Sequence, residues 1–165
     1  MIIIRAKKQE SLKDKAEILA QVKVELAKSP IVSEMCKEHN VDVDLILGIP
    51  IDFVELDVSA KTIDSKVYLN EDLLNDSFEK VMRYAIHEIT HAFQHMNREH
   101  LDHDPYADDD YLDRDDEQEA FKNQIQYQME VEPVEEVVEY VEDLFDHHDI
   151  PDKERKEKLK EIMTA

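Results

Sequence analysis

Gly48 is the only glycine among 165 residues, and that scarcity narrows the folds open to this chain. Glycine is the residue that adopts positive φ without steric cost, so a chain almost lacking it makes few tight turns and favours helices. The phosphate-cradling loops that need several glycines, the P-loop and the dinucleotide fingerprint among them, are excluded with it. Apolar residues make up 42% of the chain, enough for one core, and the expected organisation is a single domain over residues 1–165.

Periodicity supplies the elements. Ile2 to Ile4 predicts a short strand, and Leu12, Ala16, Leu19, Val22 and Leu26 recur at steps of three and four, predicting an amphipathic helix from Ser11 to Ser29. Ser29-Pro30 ends that helix and starts another towards His39, with Ser29 as N-cap and Pro30 at the first helical position. Asp42 or Asp44 caps one further turn before Gly48-Ile49-Pro50 breaks the chain. The period then changes to two. Val54, Leu56 and Val58 alternate with Glu55 and Asp57, and Lys66 to Asn70 is strand-like after Asp64-Ser65, so the two runs predict a hairpin.

The strongest stripe follows, from Asp76 to Asn97. Val81, Met82, Ala85, Ile86, Ile89 and Phe93 recur at helical spacing, with Asp76 as expected N-cap and Glu79 closing a capping box. Flanking the stripe is His87-Glu88-Ile89-Thr90-His91, an H-E-x-x-H sequence. On a helix it sets two imidazoles four residues apart on one face, within reach of a single metal ion. His91 and His95 share that spacing, but Ala92 stands where a glutamate would be needed, so His95 is expected at the surface or behind the ligands.

His100 to Asp116 is crowded with aspartates and carries no apolar period, so a loop is expected, with Asp102, Asp104, Asp108, Asp109, Asp110, Asp113, Asp115 and Asp116 as hard oxygen donors of the kind calcium takes. The spacing matches no EF-hand loop and the glycine such a loop requires is missing. Helical pattern returns from Glu117 to Met129, then from Pro133 through Val134, Val137, Val141 and Phe145, and again from about Asp152 to Met163. This C-terminal pair is expected to pack on the core or on a second copy of the chain.

The formal net charge is −21, which opposes contact with nucleic-acid phosphates or an anionic membrane surface. It leaves room for a rival reading, a non-enzymatic acidic protein that mimics the DNA backbone or inhibits a basic partner. Cys36 is the only cysteine and reads as a small core residue. With no apolar run of bilayer length and no signal h-region, a cytoplasmic location is expected.

Zinc takes about four ligands, and a catalytic site leaves one position to water. Two histidines therefore need a third protein ligand, and chain order points to Asp115-Asp116-Glu117-Gln118-Glu119-Ala120-Phe121. At 100° per residue, Glu117 lies about 40° from Phe121 and projects with it towards the core, whereas Glu119 lies about 160° away, beside Lys122 and Asn123. Glu117 is the favoured ligand, and Glu119 is expected to face water or to support the site from behind. With Zn2+ bound at His87, His91 and Glu117, Glu88 would be the general base of amide or peptide hydrolysis. Tyr106, Tyr111, His100 and His103 are the candidates for an oxyanion donor.

HEITH, preceded by the strand-like KVYLN and followed by a helix bearing E-x-E-A-F, resembles the minimal zincin core of gluzincin-type metallopeptidases, in particular the ImmA/IrrE-type proteases and related phage or mobile-element enzymes. The resemblance runs from Val54 to Met129. It implies an α+β fold in which a small sheet packs on the H-E-x-x-H helix and on a following glutamate-bearing helix, a core of about residues 42–130. Helical extensions would flank it at about 9–40 and 133–165. It also implies Glu117 as third ligand, and a protein or peptide substrate such as a repressor or other regulatory protein. The aspartate-rich insertion, and Phe121 where that family carries a small polar residue, depart from the pattern.

Overall fold

A computed structural model describes the backbone of residues 2–97 and 111–165 and the side chains of residues 15–96 and 112–165. The fold is α+β. Helix α1 (Ile2–Lys28) is followed by α2 (Pro30–Glu38), strands β1 (Ile51–Val54), β2 (Ala60–Ile63) and β3 (Lys66–Asn70), and helices α3 (Phe78–Asn97), α4 (Asp115–Val131), α5 (Val134–His147) and α6 (Asp152–Met163). Short 3-10 turns stand at Val43–Gly48, Glu71–Asn75 and Tyr111–Asp113.

Local sequence explains most of these boundaries. Ser29 Oγ accepts a hydrogen bond from Val32 N and Pro30 opens α2, while Asp42 caps the Val43–Gly48 turn by accepting from Asp44 N. Three expectations are corrected. Ile2 to Ile4 is helical, not a strand; Arg5 to Glu10 holds strong helix formers and no breaker, so α1 runs back to Ile2. The cap of α3 is Ser77, whose Oγ accepts from Lys80 N at 3.3 Å, whereas Asp76 closes the preceding turn. Glu55 to Val58 is not a strand: Asn70 Nδ2 donates to the carbonyls of Leu56 and Val58, each at 3.0 Å, and holds that stretch as a loop.

The hairpin is instead β2 with β3, antiparallel and in register Thr62 opposite Val67. Its two-residue turn is Asp64-Ser65, both at positive φ (51° and 65°), as the twist of a tight hairpin requires and as a short polar side chain tolerates. β1 pairs with β3 in parallel, giving the order β1-β3-β2 and leaving β2 at one edge.

Buried apolar side chains fall into two clusters rather than the one core expected. The first joins Val22 and Leu26 of α1, Met35 of α2, Phe53 and Leu69 of the sheet and the α3 stripe. The second joins Phe121 and Ile125 of α4 to Val137, Val141 and Phe145 of α5 and Ile162 of α6. The C-terminal pair thus packs on α4 of its own chain. Between the clusters, α4 turns a polar face inward, with Glu117, Gln124 and Gln128 all buried. Burying such groups is costly unless each finds a partner, and that seam holds the candidate site. Among the described residues, no helix is long and apolar enough to cross a membrane.

Candidate metal centre

His87 and His91 lie one turn apart on α3, both buried, with ring centroids 5.0 Å apart. α4 crosses them so that one carboxylate meets both: Glu117 Oε1 is 2.9 Å from His91 Nε2, and Glu117 Oε2 is 3.2 Å from His87 Nε2. Phe121, one turn on from Glu117, stacks edge-on against His87 with centroids 4.5 Å apart and covers the ring from the second apolar cluster.

The far nitrogens are fixed as well. His87 Nδ1 is 2.9 Å from Gln124 Oε1, and His91 Nδ1 is 2.8 Å from Gln94 Oε1. An amide oxygen only accepts, so each Nδ1 carries a hydrogen; the neutral ring then keeps its lone pair on Nε2, towards Glu117, and a second proton there makes the ring a donor to that carboxylate. The amides are themselves held in that orientation. Gln94 Nε2 donates to Asp116 O at 3.1 Å and to Glu119 Oε1 at 2.6 Å, and Gln124 Nε2 donates to Gln128 Oε1 at 3.0 Å.

Three carboxylates crowd the two imidazoles. The ligand atoms of His87, Glu88 and His91 lie within 4.8 Å of one another, as do those of His91, Asp116 and Glu117. Their other partners separate their roles. Asp116 receives Arg114 Nη2 at 3.2 Å and the Glu117 backbone N–H at 3.0 Å. Glu88 Oε2 accepts from Thr62 Oγ1 of the edge strand at 2.8 Å. Glu117 alone of the three is in contact with both histidines. The chain matches no protein-family model, no curated protein and no solved structure.

Two imidazole nitrogens and one carboxylate are a donor set that suits zinc. The observed separations of 2.9 and 3.2 Å are close to the edge, about 3.3 Å, of a tetrahedron with ligand bonds of about 2 Å. Without metal the groups couple to one another. Burial opposes charge on His91, but the hydrogen bond and charge of Glu117, with smaller contributions from Glu88 and Gln94, outweigh it and raise its pKa from 6.5 to about 9. Burial likewise disfavours ionised Glu117, yet hydrogen bonds from His87 and His91 and their charge hold its carboxyl well below the usual carboxylate range.

A cleft of ≈ 730 Å³ opens onto His87 and Glu88. Ser59 and Ala60 form part of one wall, and Glu136, Glu139 and Tyr140 of α5 part of the other. Glu119 is not at this centre: its carboxylate lies behind it, against Gln94 and His39. His95 is exposed. Of the candidate oxyanion donors, His100, His103 and Tyr106 lie outside the described residues, as does the Tyr111 side chain; so do Asp102, Asp104 and Asp108 to Asp110 of the aspartates weighed as calcium donors. Asp113 is paired with Lys158, and Asp115 and Asp116 belong to the first turn of α4.

Thr62, Gln94, Gln124 and His39 were not marked by sequence reasoning. Gln94 stands three residues after His91 and Gln124 seven after Glu117, both on the ligand's own helical face, so helix geometry would have found them once the ligands were chosen. No local signal marks Thr62 or His39, whose partners are distant in the chain.

Proposed function

We infer that this chain is a zinc-dependent peptidase, with His87, His91 and Glu117 as metal ligands and Glu88 as general base. The observation that carries the reading is the single carboxylate of Glu117 set against the Nε2 atoms of both histidines while both Nδ1 atoms are fixed by glutamines. Three potential ligand atoms, the two Nε2 and the Glu117 carboxylate, thus converge on one point, as a metal ion requires once the histidines are neutral. When bound, a zinc ion supplies the Lewis acidity that makes water nucleophilic near neutral pH and stabilises the oxyanion.

The chain's own residues supply the rest. Glu88 faces the cleft from the same turn as His87, and Thr62 Oγ1 holds one of its carboxylate oxygens. Its other oxygen takes the proton that water loses and returns it to the leaving nitrogen, so that the amine departs neutral. β2 offers an edge beside Glu88, and an extended peptide laid along it by backbone hydrogen bonds would place its carbonyl at the cleft floor. Phe121 and the buried glutamines keep bulk water from the back of the centre, where it would weaken these interactions. The substrate class is an intracellular protein, of the regulatory kind that the ImmA/IrrE-type resemblance suggests.

Metal analysis and peptide hydrolysis by the purified protein test this. The expected result is near-stoichiometric zinc in wild type, its loss in His87→Ala, and its retention without hydrolysis in Glu88→Gln. Zinc-free wild type prepared under metal-replete conditions overturns the reading. Salt-sensitive binding of a basic protein, indifferent to both substitutions, would then favour the acidic binding protein.

A further inference from the structure

We propose that His39, at the C-terminal end of α2 and outside the sheet and helices that carry the centre, is a positioning residue for the metal, acting on His91 through Glu119 and Gln94. The inference rests on the zinc reading above. The chain of contacts is continuous: His39 Nε2 lies 3.0 and 2.9 Å from the two oxygens of Glu119, Gln94 Nε2 donates to Glu119 Oε1 at 2.6 Å, and Gln94 Oε1 lies 2.8 Å from His91 Nδ1. His39 is 4% exposed and Gln94 1%, whereas the Glu119 side chain between them is 23% exposed, so water reaches the middle link but neither of its partners.

The chemistry of the links gives the chain a direction. A carboxylate accepts only, so Glu119 requires a donor from each side. His39 Nε2–H meets that requirement from α2, and the amide of Gln94 meets it from α3. With its NH₂ turned to Glu119 and to Asp116 O, Gln94 must present its oxygen to His91. That in turn places the imidazole hydrogen on Nδ1 and leaves the Nε2 lone pair for a metal. Without His39 the part-exposed Glu119 carboxylate can swing towards water, and when it does Gln94 loses the firmer of its two acceptors. Only the longer contact to Asp116 O then opposes a flipped amide, which would drive the His91 hydrogen to the metal-facing nitrogen.

A buried His–Glu pair that merely fastened α2 to α4 would contribute to stability and leave the metal untouched. Zinc affinity separates the two. Competition titration of the full chain against a chromophoric chelator at fixed pH should show His39→Ala weakened by up to about tenfold, the lower end of what loss of a direct partner of a metal ligand costs, since His39 acts through two further links. His39→Gln, whose Nε2 reaches as far and donates to Glu119, should recover most of that loss. Glu119→Ala should lose as much as His39→Ala, and the double variant no more than either, since all three break one chain. Thermal unfolding of the chelated proteins runs alongside. A folded His39→Ala with wild-type zinc affinity overturns the proposal, as does a lowered midpoint without an affinity change, or failure of glutamine to restore. If His39→Ala does not fold, Glu119→Ala at its part-exposed position decides alone, and unchanged affinity there is equally fatal. Wild type that takes up no zinc overturns the peptidase reading itself, whereas tight zinc in wild type and variants alike overturns only this inference.

Discussion

Glu117 Oε1 sits 2.9 Å from His91 Nε2, and in the metal-free protein this contact binds the protonation of one residue to that of the other. His91 gains a proton more readily folded than unfolded, its pKa rising from 6.5 to about 9. Its contribution to stability is fully present below pH 6.5 and is lost as pH rises through about 9. Glu117 has the opposite sign. Its carboxyl is depressed from 4.5, so its contribution is present above that value and is lost as pH falls through the folded pKa. Chelated protein should therefore gain most from the pair between about pH 4.5 and 6.5. Thermal midpoints of wild type and Glu117→Gln across pH check this: the difference between them should shrink towards pH 9 and beyond. A constant difference would refute the coupling.

The same proton opposes zinc. Binding requires His91 neutral, so apparent zinc affinity should climb from pH 6 until about pH 9 and level off there. Competition titrations at several pH values measure it. An affinity that levels off by pH 7 would show that the Glu117 contact does not retain the His91 proton.

Thr62 Oγ1 donates to Glu88 Oε2 at 2.8 Å, and no other described contact orients that carboxylate from the strand side. Thr62→Val keeps the shape and removes the donor. A hydrogen bond to a charged group contributes about 1.5–3 kcal/mol, so kcat for peptide hydrolysis should fall by about tenfold or more while zinc content stays at the wild-type level. Thr62→Ser should retain most of the activity. Zinc lost together with activity would instead assign Thr62 to the fold.

What the sequence made legible is local. The α3 stripe could be read because its buried positions are almost all apolar, and Ser29-Pro30 because cap and first turn are written in adjacent residues. α4 was harder. Measured from Phe121, Glu119 points away from the apolar core, and that is true, but the opposite side of α4 is buried too, against polar groups that a hydropathy stripe does not register. The Thr62–Glu88 and His39–Glu119 contacts join residues far apart in the chain and depend on how elements pack. The same holds for β1. Ile51–Val54 is a strand because β3 accepts it in parallel, whereas the better alternation at Val54 to Val58 is overruled by Asn70.

Phe145 tests whether the second apolar cluster supports the centre. It is 2% exposed and packs in the cluster that includes Phe121, the residue against His87. Phe145→Ala should cost about 3–5 kcal/mol of stability, the usual toll for a buried phenylalanine. Denaturant unfolding of the chelated protein measures the cost, and added zinc should recover part of it by mass action. A loss under 1 kcal/mol would mean that α5 and α6 are loosely attached.

Gln124 offers the most direct test of how His87 is prepared for metal. Its Oε1 accepts the Nδ1 hydrogen at 2.9 Å in a buried setting. In Gln124→Leu the hydrogen has no acceptor, and an N–H buried without a partner costs about 1–3 kcal/mol. The imidazole can avoid that cost by moving its hydrogen to Nε2, where Glu117 accepts it, and that tautomer cannot bind zinc. Zinc affinity should then fall by about tenfold or more. Gln124→Glu keeps an acceptor at the same reach and should restore most of the affinity, because a carboxylate holds Nδ1–H at least as firmly as an amide does. Equal loss in both variants would place the effect in the Gln124–Gln128 contact rather than in the tautomer of His87.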